Sequence, residues 1–210
     1  MDADTLAEFL RTNLPAAPVP GLPEICLHKA APDSGLKRLA QADPAFASPY
    51  WAYHWAGGLA LARHLLDQPE TVAGRTVLDL GAGGGLVAIA AAKAGAARTI
   101  AAETDRYGVA MLRLNAGLND VAIEVLGEDP TAGPPLPVEI VLVGDLFYAP
   151  DLAARVTAFL DRCVAAGQTA LVGDPWRADL PVSRLRELAR YDVCETGSRM
   201  QASGVFAFTR

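Results

Sequence analysis

Val77-Leu78-Asp79-Leu80-Gly81-Ala82-Gly83-Gly84-Gly85 is the stretch from which the rest of the chain can be read. Three apolar residues around one acid predict a buried strand, and the glycines predict a turn opening the helical run Leu86 to Ala94. A strand–turn–helix unit of this kind offers bare backbone N–H groups and a helix N-terminus to a ligand that comes very close. After a second apolar run, Thr99 to Ala102, stands Glu103, placed to accept both hydroxyls of a ribose. Turn and acid together point to a nucleoside cofactor. The plainer alternative is an ordinary connection between strand and helix, with Asp79 as a helix-capping acid.

The nicotinamide fingerprint G-x-G-x-x-G fails here, because Leu86 stands where its third glycine belongs. What remains, Asp79-x-Gly81-x-Gly83, resembles the first motif of the class I S-adenosylmethionine-dependent methyltransferases. That cofactor carries no phosphate; its charged end is an amino acid. On this resemblance Asp79 accepts from the ammonium, directly or through water, and the glycine turn lies against the amino-acid end and ribose.

The 210 residues fit one domain with an N-terminal extension, residues 1–50 preceding a methyltransferase domain at 51–210. With 51% hydrophobic residues there is ample material for one large core. The net charge of −6 and the lack of a basic run disfavour a nucleic-acid partner. Cys26, Cys163 and Cys194 form no metal or disulfide pattern, so reduced thiols in the cytoplasm are expected. The start Met1-Asp2-Ala3-Asp4 reads as neither a secretory signal nor a transit peptide, so no targeting segment is expected, and no apolar run reaches membrane-spanning length. A monomer without a membrane partner is expected.

Helical spacing of Leu6, Phe9 and Leu10 predicts a helix over 4–13; prolines then break regularity, Ile25 to His28 reads as a short strand, and 30–49 reads as loop. From residue 57 helices and strands alternate: helix 58–66, strand 75–80, helix 85–94, strand 98–103, helix 106–118, strand 123–126, strand 140–143, helix 151–164 and strand 169–172. A helix at 182–190 and strands at 192–199 and 204–209 close the chain. This order predicts an α/β fold with a doubly wound, mostly parallel sheet, its last two strands an antiparallel hairpin at the edge.

Asp79, Glu103, Asp145 and Asp174 all follow or end predicted strands, on the side where open α/β sheets bind ligands. No histidine joins them, so no metal site is expected. Asp145-Leu146-Phe147-Tyr148 occupies the end of the strand that lies next to the methyl donor in class I methyltransferases. It resembles the Asp-x-x-Tyr tetrad of a protein-lysine methyltransferase group, and not the Asn-Pro-Pro-Tyr of enzymes that methylate base amines or glutamine. A lysine ammonium, with a reference pKa of about 10.4, must lose a proton before it attacks a methyl group. Asp145 suits the task of orienting that amine, with Phe147 and Tyr148 walling its channel; the alternative is a helix-capping Asp145 with core aromatics. Pro49 to Gly58 carries Tyr50, Trp51, Tyr53 and Trp55, a flap over the cofactor or a core anchor, and His54 reads as a surface histidine. Glu128 is either an acceptor for an adenine amino group or a solvated loop acid.

Residues 49–58, 77–83, Leu114 to Asn119, Gly144 to Tyr148 and Gly173-Asp174-Pro175-Trp176-Arg177 occur in this order. Together they resemble the electron transfer flavoprotein β-subunit lysine methyltransferases in their bacterial form, over residues 20 to 210. The resemblance implies a seven-stranded sheet and methyl transfer from S-adenosylmethionine to lysine ε-amines. The implied substrates are electron transfer flavoprotein β subunit and, as a second protein, ribosomal protein L7/L12; a small-molecule amine is the alternative. It places Trp55, Asp79, Gly81, Gly83, Glu103, Glu128 and Asp145 on the cofactor, with Asp145 and Tyr148 catalytic. Trp51, Phe147, Asp174 and Trp176 fall on the substrate side. Trp176 departs from the family's usual Gly-Asp-Pro-Gly-Arg.

Overall fold

In a computed structural model, which describes residues 2–195 and 200–209, the chain alternates as its apolar runs dictate. Helix α1 (Ala3–Asn13), capped by the Asp2 carboxylate on the Thr5 N–H, leads into a hairpin of β1 (Ala16–Val19) and β2 (Leu22–His28). A short α2 (Leu36–Ala42) follows, inside the stretch expected to be loop, because Leu39 finds a buried site against Leu10, Trp51 and Tyr107. Then come α3 (Ala56–Asp67), β3 (Thr76–Leu80), α4 (Leu86–Lys93), β4 (Arg98–Ala102), α5 (Arg106–Leu118), β5 (Glu124–Leu126), β6 (Ile140–Gly144), α6 (Pro150–Ala165), β7 (Thr169–Asp174), β8 (Leu185–Cys194) and β9 (Met200–Phe208).

The main sheet has seven strands in the order β5-β4-β3-β6-β7-β9-β8, parallel except for β9, which runs antiparallel to both its neighbours. Side chains alternate across it. Val77, Leu142 and Leu171 face a core shared with α3 and α4, while Leu78, Val141, Val143 and Val172 face α6 through Val156, Phe159 and Leu160. Burial on both faces is why these strands read as unbroken apolar runs.

The helix expected at 182–190 is a single 3-10 turn, Val182–Arg184, followed by β8. Leu185, Leu188 and Ala189 mimic helical spacing, but β9 would otherwise leave a row of unpaired backbone groups, and pairing with it prevails. Of the strand expected at 192–199, residues 192–194 belong to β8 and 196–199 lie outside the described residues.

Two asparagines bind the N-terminal hairpin to the sheet domain. Asn119 Oδ1 accepts from the Cys26 N–H at 3.0 Å, and its Nδ2 donates to the Cys26 carbonyl at 2.6 Å. One helical turn earlier, Asn115 Oδ1 accepts from the His28 N–H at 2.8 Å and Nδ2 donates to the Gly84 carbonyl at 2.8 Å. Helix α5 thus supplies, through side chains, the ladder partner that β2 lacks. Asn119→Ala strands both backbone groups of Cys26, and we expect a loss of about 2–3 kcal/mol in urea unfolding. A loss within about 0.5 kcal/mol would show that water replaces these bonds.

Candidate active site

The strand order reverses between β3 and β6, so the crevice at their carboxyl ends is the topological switch point of the sheet. A cavity of about 780 Å³ opens there, within the range of about 300–1,000 Å³ usual for ligand pockets. Gly81 (φ 69°) and Gly83 (φ 54°) give its floor the left-handed turn that brings backbone into the crevice. Asp79, 2% exposed, accepts the Ala88 N–H at 2.9 Å, so it does cap α4 while also lining the cavity. Burial raises its carboxyl to about 7, despite that hydrogen bond. Glu103 accepts from the Gly83 and Asp105 N–H groups, each at 2.8 Å, and burial raises its pKa as well.

The aromatic stretch forms the wall opposite. Trp51 is buried and stacks on Tyr107 at 6.1 Å, an anchor that still touches the cavity. Trp55 donates its indole N–H to the Tyr50 carbonyl at 3.1 Å, and the Tyr50 ring stands 5.7 Å from that of Tyr148. Tyr50, Tyr53 and Tyr148 are exposed, so this end of the cavity has an aromatic rim. Glu128 lies exposed on the cavity lining.

Asp145 sits at φ 62°, a conformation that short polar residues tolerate better than most. Its Oδ1 accepts the Gly57 N–H at 3.0 Å and its Oδ2 the Gly58 N–H at 2.5 Å, which makes it the anion at the N-terminus of α3. The Arg177 guanidinium bridges Asp145 Oδ1 at 2.5 Å and Asp174 Oδ2 at 2.9 Å. Burial pushes the Asp145 carboxyl up and Arg177 pulls it back; Arg177, opposed by its own burial, is held above its ordinary pKa by the two carboxylates. The helix it caps is therefore α3, and not the one that begins at Pro150.

Three expectations need correction. Phe147 does not wall the cavity: it is fully buried with Val156 and Phe159, because the turn at Asp145 sends residue 147 into the core and residue 148 to the rim. Asp174 and Trp176 lie outside the cavity lining; Asp174 is the buried partner of Arg177. Trp176 stands at φ 58°, where the family's usual glycine costs nothing, and packs on the Phe206 ring at 5.6 Å and under the Arg190 guanidinium at 4.4 Å. His54 is no surface histidine: it is 6% exposed, and burial lowers its pKa to about 4, so it is neutral. Arg177, which the sequence shows only as the end of the Gly173–Arg177 motif with no role of its own, and Lys29 both stand on the cavity lining. The Asp-Pro-Trp-Arg turn, in which Asp174 Oδ1 accepts the Arg177 N–H at 2.7 Å, is the signal that pointed to Arg177.

Comparison with known proteins agrees with this geometry. The family model for ribosomal protein L11 methyltransferase (PrmA) matches residues 60–143. The electron transfer flavoprotein beta subunit lysine methyltransferase of Xenopus laevis is 36% identical over 194 residues, covering 90% of this chain and 79% of the relative. The chain belongs to that family. The rat member, also 36% identical, aligns over 71% of this chain and 61% of its own length, so this methyltransferase spans less than two thirds of some relatives. Among solved structures, a putative RNA methyltransferase from Pyrococcus horikoshii superposes with a TM-score of 0.59 at 18% identity, covering 83% of this chain and 95% of the other. The AdoMet complex of the Thermus thermophilus 16S rRNA N2 G1207 methyltransferase does so with a TM-score of 0.54 at 22% identity, covering 75% and 44%. Both share the fold.

The chain is an S-adenosylmethionine-dependent methyltransferase, and its own residues fit that cofactor. Trp51 Nε1 and His54 Nδ1 are buried on residues of the cavity lining and have no hydrogen-bond partner among the described residues. Asp79 suits an ammonium, Glu103 suits ribose hydroxyls, and the glycine turn leaves room beside both. Because Asp79 holds its proton to about pH 7, a cationic ligand must displace that proton below neutrality. Cofactor affinity measured by calorimetry should therefore rise between pH 5.5 and 7, approaching tenfold per unit, and Asp79→Asn should flatten the rise. The same shift has a stability sign: a carboxyl raised in the folded state favours folding below its unfolded value, and this contribution is lost as pH rises to about 7.

Proposed function

We propose that this methyltransferase acts on the ε-amine of lysine in a protein, with electron transfer flavoprotein β subunit as the first substrate to consider. The observation that carries the reading is the pairing of Asp145 with Tyr148 on one cavity lining, a buried carboxylate behind an exposed aromatic rim. A lysine side chain needs that combination: apolar walls for its methylenes and an acceptor at the end for its nitrogen. Bound S-adenosylmethionine supplies an electrophilic methyl group on a sulfonium.

The residues do the remaining work. Tyr50, Trp55 and Tyr148 line the approach, and their apolar faces disfavour the ammonium form of an amine that enters between them. Asp145, fixed by two N–H groups and a guanidinium, orients the nitrogen and is too well engaged to serve as a strong base. The net charge of −6 suits a lysine-bearing protein surface. Ribosomal protein L7/L12 is the second protein substrate to test, and a free small amine the alternative.

The test incubates the protein with methyl-labelled S-adenosylmethionine and, separately, each of the two proteins. We expect label on lysines of the flavoprotein β subunit, and a drop of about ten- to a hundredfold in Tyr148→Ala with cofactor affinity retained. Label that mass spectrometry finds only on a small amine would overturn the reading.

A further inference from the structure

A carboxylate offers about four acceptor sites, two on each oxygen. On Asp145 three are in use: Oδ1 takes the Gly57 N–H and the Arg177 guanidinium, and Oδ2 takes the Gly58 N–H. Oδ2 has no second donor among the described residues, and Asp145 lines the cavity. Arg177 is itself fixed twice over, by its backbone N–H to Asp174 Oδ1 and by its guanidinium on Asp174 Oδ2. The cation beside the acceptor site is therefore built in, and it leaves one acceptor position free.

We propose that Arg177 is a positioning residue for methyl transfer: it offsets the charge of Asp145 so that the open Oδ2 site holds the substrate nitrogen as an amine and not as an ammonium. The proposal rests on the lysine reading above. A lone buried carboxylate binds an ammonium well but raises its pKa and so removes the nucleophile. A carboxylate beside a guanidinium and at the N-terminus of α3 keeps its lone pair and loses part of that pull. Asp174, with no exposed surface, is the second anion on the same guanidinium. The other titratable and charged groups on the cavity lining are Asp79, Glu103, Asp105, Glu128, Asp129, Lys29, Arg155, His28, His54, Tyr50, Tyr53 and Tyr148, with Glu195 on the Ala56 N–H, and all of them are the same in every variant below.

The experiment measures kcat against pH, with saturating cofactor and flavoprotein, for the unaltered protein and for R177M, R177K and D174N; calorimetric cofactor binding checks each fold. In R177M the limb on which kcat rises with pH should move up by at least about one unit, so kcat at pH 7 falls about tenfold or more. KM should stay level or fall. R177K should return the limb most of the way. D174N leaves Arg177 to Asp145 alone, and its limb should move to lower pH. An R177M enzyme that still binds cofactor but loses kcat with an unmoved limb, or whose only change is a raised KM, has lost a merely structural residue and overturns the proposal. If R177M fails to bind cofactor, D174N decides by the sign of its shift, and an unmoved limb overturns the proposal there too. No methyl transfer by the unaltered protein to any amine would instead sink the lysine reading.

Discussion

The first turn of α3 begins against the ends of β6 and β7, and the site depends on how close that contact is. Gly57 and Gly173 meet there with no side chain between them: a Cβ on either would lie 2.1 Å from the other's carbonyl oxygen. The Gly173 carbonyl also accepts the Asp145 N–H at 3.0 Å. An exposed helix start leaves orphan N–H groups, and this one buries them on a carboxylate borrowed from the neighbouring strand. The helix thereby secures its N-terminus, and Asp145 secures its rotamer. Neither is free to shift without the other, which is the rigidity that a positioned acceptor needs.

The N-terminal segment is linked to the same region by a longer route. Asn115 joins the β2 backbone to the Gly84 carbonyl, and the Ala30 N–H donates to the Ala52 carbonyl at 2.8 Å. Leu6, Leu10 and Leu14 share one apolar cluster with Trp51, Tyr107 and Met111. The glycine turn and the aromatic wall, which enclose the cavity from two sides, are therefore both attached to residues that precede position 50.

Much of this was legible in the sequence where one physical rule dominates. Strands buried on both faces must be apolar throughout, so 76–80, 98–102 and 140–144 announced themselves, and the acids that follow them marked the rim. Leu114-Asn-Ala-Gly-Leu-Asn119 stood out as a motif, but its purpose did not: the partners of its asparagines lie in β2, some ninety residues earlier. Illegible features were those decided by long-range choices. Phe147 and Tyr148 are adjacent aromatics, and only the left-handed turn at Asp145 sends one inward and the other to the rim. Residues 185–190 carry helical spacing, yet the unpaired edge of β9 claims them. His54 looks solvated by type and is buried by its neighbours.

Both margins of the sheet bear on how the chain behaves in a crowded solution. An unpaired strand edge is a template onto which another polypeptide can add. Here one margin is β5, three residues long, with Glu124 paired to Arg98. The other is β8, whose register slips between Glu187 and Ala189 and which carries Arg186, Glu187 and Arg190 along that length. One edge is too short to propagate and the other too kinked and charged to dock flatly. Neither margin offers the long, flat, uncharged edge onto which a further strand adds most readily.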